Sequence, residues 1–148
     1  LVGARADERR RDTHREYRND RFAIWGNTFV LYTAVGKGGL CREVAIDEAL
    51  AKQLEMRRLD VPRSVWDRKI QYEQYYDLGG GHDWTNSFTK ASKRALGWSK
   101  GGHGVRHGYA QARMNALQGS GYTYHDALEL VSQEMGHFRA SITEVYLR

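Results

Sequence analysis

The sequence predicts an α+β fold, mainly helical, with a small three-stranded antiparallel sheet near the N-terminus. Three observations carry this expectation. β-Branched and aromatic residues crowd one early region, "RFAIWGNTFVLYTAV", and the glycine-rich "VGKGGLCREVAI" that follows reads as a hairpin. Beyond Asp47 the apolar residues recur at helical spacing between glycine breaks. The length, 148 residues, is that of one ordinary domain, taken as 1–148.

Along the chain, "LVGAR" reads as the tail of a buried helix, and the charge-rich run 5–18 as helical. Gly26-Asn27 divides the β-rich region, so strands are expected over 21–25, 28–35 and 40–46, with Gly36-Lys37-Gly38-Gly39 turning between the last two. Asp47 can cap a helix over "EALAKQLEMRR", because its carboxylate can accept from the first free backbone N–H groups. Pro62, the only proline, suits a helix start, and "RSVWDRKIQYEQYYDL" carries helical spacing. "LGGGHD" breaks the chain; "WTNSFTKASKRAL" is a helix ended by Gly97, and "VRHGYAQARMNALQ" one ended by Gly119 and Gly121. Thr123 with Asp126 resembles a capping box for "YHDALELVSQEM". Gly136 breaks that helix, and "ASITEVYL" makes a last short one.

Composition narrows the function. Hydrophobic residues are 41% and charged residues 28%, and no apolar run approaches the roughly 20 residues that span a bilayer, so no membrane association is expected. The opening turns charged at once, unlike a signal peptide. Cys41 is the only cysteine, which excludes an internal disulfide and a two-cysteine zinc site and points to a reducing compartment. The net charge of +5 favours an acidic partner. Residues 84–125 contain no Asp or Glu, but they hold Lys90, Lys93, Arg94, Lys100, Arg106 and Arg113 among Trp84, Trp98, His103 and His107. Positive charge interleaved with aromatics is what a phosphate backbone attracts, and Lys90, Lys93, Arg94 and Lys100 are the expected DNA contacts.

Single motifs are weak. "HGVRH" sets His103, Arg106 and His107 around a helix start, where neighbours three and four apart share a face and N–H groups favour anions. The same histidines could form a metal pair, but no third ligand is evident and no metal is expected. Lys37 at a glycine-rich hairpin tip, and Arg5 with Glu8, are ordinary features taken alone.

Taken in order, Arg5, Lys37, His103-x-x-Arg106, Gly136-His137 and Tyr146 resemble the tyrosine recombinases, the phage-integrase family. "LVGARADE" looks like the family's Thr-Gly-Leu-Arg-x-x-Glu motif, with Val2 and Ala4 as departures. "VGKGGLCREVAI" looks like its lysine hairpin, "HGVRH" like its His-x-x-Arg-His, and "EMGHFRASITEVYL" like Leu-Gly-His followed by Thr-x-x-Tyr, with Met135 in place of leucine. The resemblance covers essentially the whole chain as a catalytic domain. It implies that an N-terminal core-binding domain and the first catalytic-domain helices lie outside the sequence in hand.

The resemblance implies cleavage and rejoining of DNA without metal, ATP or another cofactor. Tyr146 attacks a phosphodiester and forms a 3′-phosphotyrosine, a covalent intermediate that a second 5′-hydroxyl can resolve. A phenol is mostly protonated at neutral pH and needs a base and positive charge nearby. Arg5 and Arg106 then clamp the non-bridging oxygens, since a guanidinium stays charged and matches phosphate with a planar fork. His103 accepts the tyrosine proton or bonds a phosphate oxygen, His137 holds another oxygen through a ring N–H, and Lys37 protonates the leaving 5′-oxygen. Glu8 orients the arginine and lysine from behind, and His107 is structural. The implied partner is double-stranded DNA, bound by a homotetramer on two sites in the full-length protein, with the fragment alone monomeric. The implied setting is the cytoplasm of a bacterium. Two other readings stay open on the same residues: an inactive recombinase-like DNA-binding module, and a type IB topoisomerase.

Overall fold

The computed structural model describes residues 2–5, 29–36, 41–67, 70–79, 81–137 and 139–148, of which 2–5, 67 and 70 as backbone only. The chain is α+β and divides into two compact units, Leu1–Asp77 and Leu78–Arg148.

The first unit holds the described strands. β1 (Val2–Arg5), β2 (Phe29–Val35) and β3 (Cys41–Asp47) form an antiparallel sheet in that order. The register of the central pair runs from Phe29↔Asp47 to Val35↔Cys41 without a break, whereas β1 pairs irregularly, through Val2↔Ala34 and Arg5↔Tyr32. The opening residues are thus a strand and not the tail of a helix. Four residues carry little intrinsic preference, and pairing with β2 at Val2 and Arg5 is what holds them extended. The strand expected over 21–25, the helix over 5–18 and the turn with Lys37 lie outside the described residues.

Asp47 caps α1 (Glu48–Glu55) as expected, its carboxylate accepting from the Ala49 N–H at 2.8 Å. The following segment departs from expectation. In place of a helix from Pro62 there is a hairpin, β4 (Arg58–Asp67) with β5 (Ile70–Tyr76). Val65, Trp66, Tyr72, Tyr75 and Tyr76 are β-branched or aromatic and suit a pleated surface. Pro62 falls in the irregular stretch between the Arg58 and Arg63 pairings, where a strand tolerates a residue without an N–H.

The core of this unit gathers Tyr32, Ala51, Leu54 and Tyr76, flanked by Val30, Val44, Ile46 and Tyr75. Tyr32 and Tyr76 meet edge to face, with ring centroids 5.9 Å apart. Both phenols donate to Glu55 Oε1, at 2.6 Å and 3.0 Å, so the end of α1 supplies the acceptor these buried hydroxyls require. Burial pushes the Glu55 carboxyl up, but the hydrogen bonds from Tyr32, Tyr76 and Arg58 outweigh it and hold it below the ordinary carboxylate value. Burial first, then the neighbouring Glu55 carboxylate, push the Tyr76 phenol up.

The second unit is helical: α2 (Gly81–Leu96), α3 (Gly101–Gly119), α4 (Tyr124–Met135) and α5 (Ala140–Glu144). Its boundaries follow local chemistry. Gly97 adopts φ 77° after α2, Thr123 caps α4 by accepting from the Asp126 N–H at 3.2 Å, and Gly136 ends α4 in the left-handed region at φ 76°. Apolar side chains of α3 and α4, including Ala110, Met114, Leu117, Ala127, Leu128 and Val131, form the core. Among the described residues, no helix is long and apolar enough to cross a membrane.

Candidate active site

The second unit brings three of the expected site residues, Arg106, His137 and Tyr146, together with His107. Arg106 and His107 leave α3 two turns after its start, close to where α4 ends at the Met135-Gly136-His137 corner. The corner is fixed by backbone bonds: the Gly136 N–H reaches the Gln133 carbonyl at 3.0 Å, and the His137 N–H the Ser132 carbonyl at 2.9 Å. A residue with a side chain would pay strain for the left-handed turn that glycine makes freely here. The chain then makes the short helix α5 and delivers Tyr146 just past its end, where the Tyr146 N–H bonds the Thr143 carbonyl at 2.9 Å. The last helix is therefore shorter than expected, and Tyr146 sits in the turn that follows it.

The side chains converge on the Tyr146 ring. His107 lies 4.8 Å from it and His137 5.4 Å, centroid to centroid. The Arg106 guanidinium carbon lies 5.4 Å from the same centroid, within reach of a cation–π attraction. His107 also holds the backbone: its Nδ1 donates to the Tyr146 carbonyl at 3.2 Å. His107 is read from the sequence as a structural residue; the backbone it contacts is that of the residue carrying the phenol.

Arg106 is anchored on one edge. Its Nη2 donates to the Met135 carbonyl at 2.9 Å and lies 3.0 Å from His137 Nε2. Those contacts use both Nη2 protons; the donors on Nε and Nη1 have no protein partner among the described residues. This leaves a charged fork, half-buried and held in place, that fits a phosphate or carboxylate. His137 differs from its expected role, because both of its ring nitrogens are engaged within the protein. Nε2 faces Arg106, and Nδ1 lies 2.8 Å from the Thr143 hydroxyl, which is fully buried. His103 stands in the first turn of α3, exposed.

The expected partners from the first unit are less fully described. Arg5 lies on β1 as backbone, and Lys37 and Glu8 lie outside the described residues.

The basic stretch sorts into two groups. Lys90, Lys93 and Arg94 are exposed and share one face of α2, and Lys100 is exposed just ahead of α3. Trp84 belongs to another face of α2; it stacks on Phe88 at 5.3 Å and with it lines an apolar groove of about 420 Å³ beside Val105, Tyr109 and Met135. Arg113 departs from the expected surface charge. It is buried, and its Nε and Nη2 make a two-pronged pair with Glu134 at 3.0 Å and 2.9 Å. Tyr109 donates a further bond to the same carboxylate at 2.8 Å. A stretch without acids in the sequence can thus receive its counter-charge from α4. Among the described residues there is no group of three or more His, Cys, Asp or Glu that could hold a metal ion.

Sequence reasoning did not single out Glu134 or assign a role to Thr143. Their importance comes from burial, which a glutamate or a threonine does not advertise in the chain. Thr143 stands in the sequence as the threonine of the Thr-x-x-Tyr match, though with no role attached, and Glu134 only as a neighbour of that stretch. The chain has no significant match among protein-family models, curated proteins or solved structures.

Proposed function

We propose that this chain is the catalytic domain of a tyrosine-type site-specific DNA recombinase. The observation that carries the reading is the cluster of Arg106, His107 and His137 around the Tyr146 ring, with one arginine edge fixed and the other open. These are the residues that the motif resemblance singles out.

In this reading the Tyr146 oxygen forms a bond to a DNA phosphorus while the bond to the 5′-oxygen breaks. The phenol proton passes to a base, for which His103 is the candidate, and the leaving 5′-oxygen takes a proton from Lys37. Charge that builds on the non-bridging oxygens is met by the Nε and Nη1 donors of Arg106. Because Nη2 is already tethered, little reorganisation is needed at the moment of reaction. Arg5 supplies the second guanidinium and Glu8 supports it, as the resemblance implies. Lys90, Lys93, Arg94 and Lys100 meet the DNA backbone. The full-length protein acts as a tetramer on two duplexes.

The test uses a pool of nicked duplexes with randomised sequence, so that no target site need be known. Wild-type protein should form a covalent complex that survives denaturation. Mass spectrometry should map the attached nucleotide to Tyr146 through a 3′-phosphate. Tyr146→Phe should bind the pool with affinity close to wild type and form no adduct, and chelation with EDTA should leave adduct formation unchanged. An adduct that persists in Tyr146→Phe, or one that needs Mg²⁺ restored, would overturn the mechanism. Relaxation of supercoiled plasmid without joining of two sites would favour a type IB topoisomerase, and binding without any adduct would favour an inactive module.

A further inference from the structure

We infer that Thr143 is a positioning residue: its buried hydroxyl accepts from His137 and so supports the tautomer that Arg106 requires, holding the ring against the guanidinium. The argument is one of donors and acceptors. Arginine carries five N–H donors and no acceptor. The 3.0 Å approach of Arg106 Nη2 to His137 Nε2 is therefore a hydrogen bond only if Nε2 presents a lone pair. In neutral imidazole the proton must then sit on Nδ1. Nδ1 lies 2.8 Å from Thr143 Oγ1, so the threonine oxygen accepts. The other tautomer would set two N–H groups against each other at Arg106.

The chain of contacts runs from a fixed point to the reactive edge. Thr143 is completely buried on α5, three residues before Tyr146. His137 is half-buried at the corner that ends α4. Arg106 receives two acceptors on Nη2, a carbonyl from Met135 and the lone pair of His137. Two acceptors at one nitrogen fix the plane of the guanidinium, and with it the direction of Nε and Nη1. A hydroxyl beyond the reach of any ligand thus supports how the arginine fork is aimed. The consequence for strand cleavage rests on the recombinase reading; the tautomer assignment does not.

The experiment uses the full chain with ¹⁵N-labelled histidine, and His137 signals are assigned by their loss in His137→Asn. In wild type, Nδ1 should show the protonated and Nε2 the lone-pair signature. Thr143→Val, nearly the same in shape but without the hydroxyl, should populate both tautomers; Thr143→Ser should restore the wild-type pattern. Adduct formation on the randomised nicked pool should slow by roughly ten- to a hundredfold in Thr143→Val, the loss typical when the partner orienting a functional histidine is removed. Thr143→Ser should recover most of it, with DNA affinity similar in all three. A protonated Nε2 in wild type overturns the proposal, and so does a tautomer that ignores Thr143→Val. Equal cleavage rates in the three proteins overturn the positioning role. If wild type forms no adduct on any duplex, the recombinase reading fails and the spectra alone decide on Thr143. If Thr143→Val does not fold, Thr143→Ala, which also lacks the hydroxyl, takes its place in both measurements with the same deciding outcomes.

Discussion

At the scale of single residues, the strongest electrostatic commitment in the second unit is the buried pair of Arg113 and Glu134, with side chains only 1% and 2% exposed. The pair is fully enclosed and further satisfied by Tyr109, so removing one partner strands a charge in the core. Glu134→Ala should lower the unfolding free energy by roughly 3–5 kcal/mol, measured by urea denaturation at neutral pH. Replacing both residues with apolar ones of similar volume should restore much of that loss. A drop in Glu134→Ala no larger than that of an average surface change would show that the pair is not the tie described. The legibility of these residues divides by chemistry. Arg106, His137 and Tyr146 stand out in the sequence because, taken in order with Arg5, Lys37 and His103, they resemble the motifs of one family. Glu134 does not, and Thr143 stands there as a motif letter without a role, since both roles come from losing water and the chain does not display which side chains will be dry.

At the scale of elements, helix boundaries were legible wherever the backbone itself demands a residue type. Gly97 and Gly136 adopt positive φ, and Asp47 and Thr123 satisfy free N–H groups at helix starts. The β4–β5 hairpin was not legible. Leu59 and Val61 do alternate with charged residues, and Ile70 and Tyr72 with polar ones, but the runs are short and the aromatics beyond them also fit helical spacing. The hairpin gains its place through a tertiary contact, the shared acceptance of Tyr32 and Tyr76 by Glu55. That contact carries a pH signature. A carboxyl whose pKa is lowered in the folded state stabilises the fold above its unfolded value, and the contribution is lost as pH falls through the folded value. The urea midpoint of Glu55→Gln should therefore lie below wild type at pH 7. The gap should shrink once pH drops under the ordinary value of 4.5, as the wild-type carboxylate takes up its proton. A gap that is constant from pH 7 to pH 3 would mean that charge at Glu55 contributes nothing.

At the scale of the whole molecule, the excess of +5 is unevenly used. Lys90, Lys93 and Arg94 stand together in solvent on α2, whereas Arg113 is spent inside the fold. If the exposed stripe meets phosphates, each contact displaces a condensed counterion, and the logarithm of affinity falls with the logarithm of salt by about 0.9 per contact. Replacing Lys90, Lys93 and Arg94 together with alanine should flatten that slope by about 2–3, read by fluorescence anisotropy on a random duplex over a range of salt. An unchanged slope would assign DNA binding to some other surface. The enclosed arginine and glutamate have a different consequence. Either one substituted alone leaves its mate without compensation, so descent can exchange them only in concert. Across kindred chains, positions 113 and 134 should drift as a couple while the solvent-facing lysines come and go one by one.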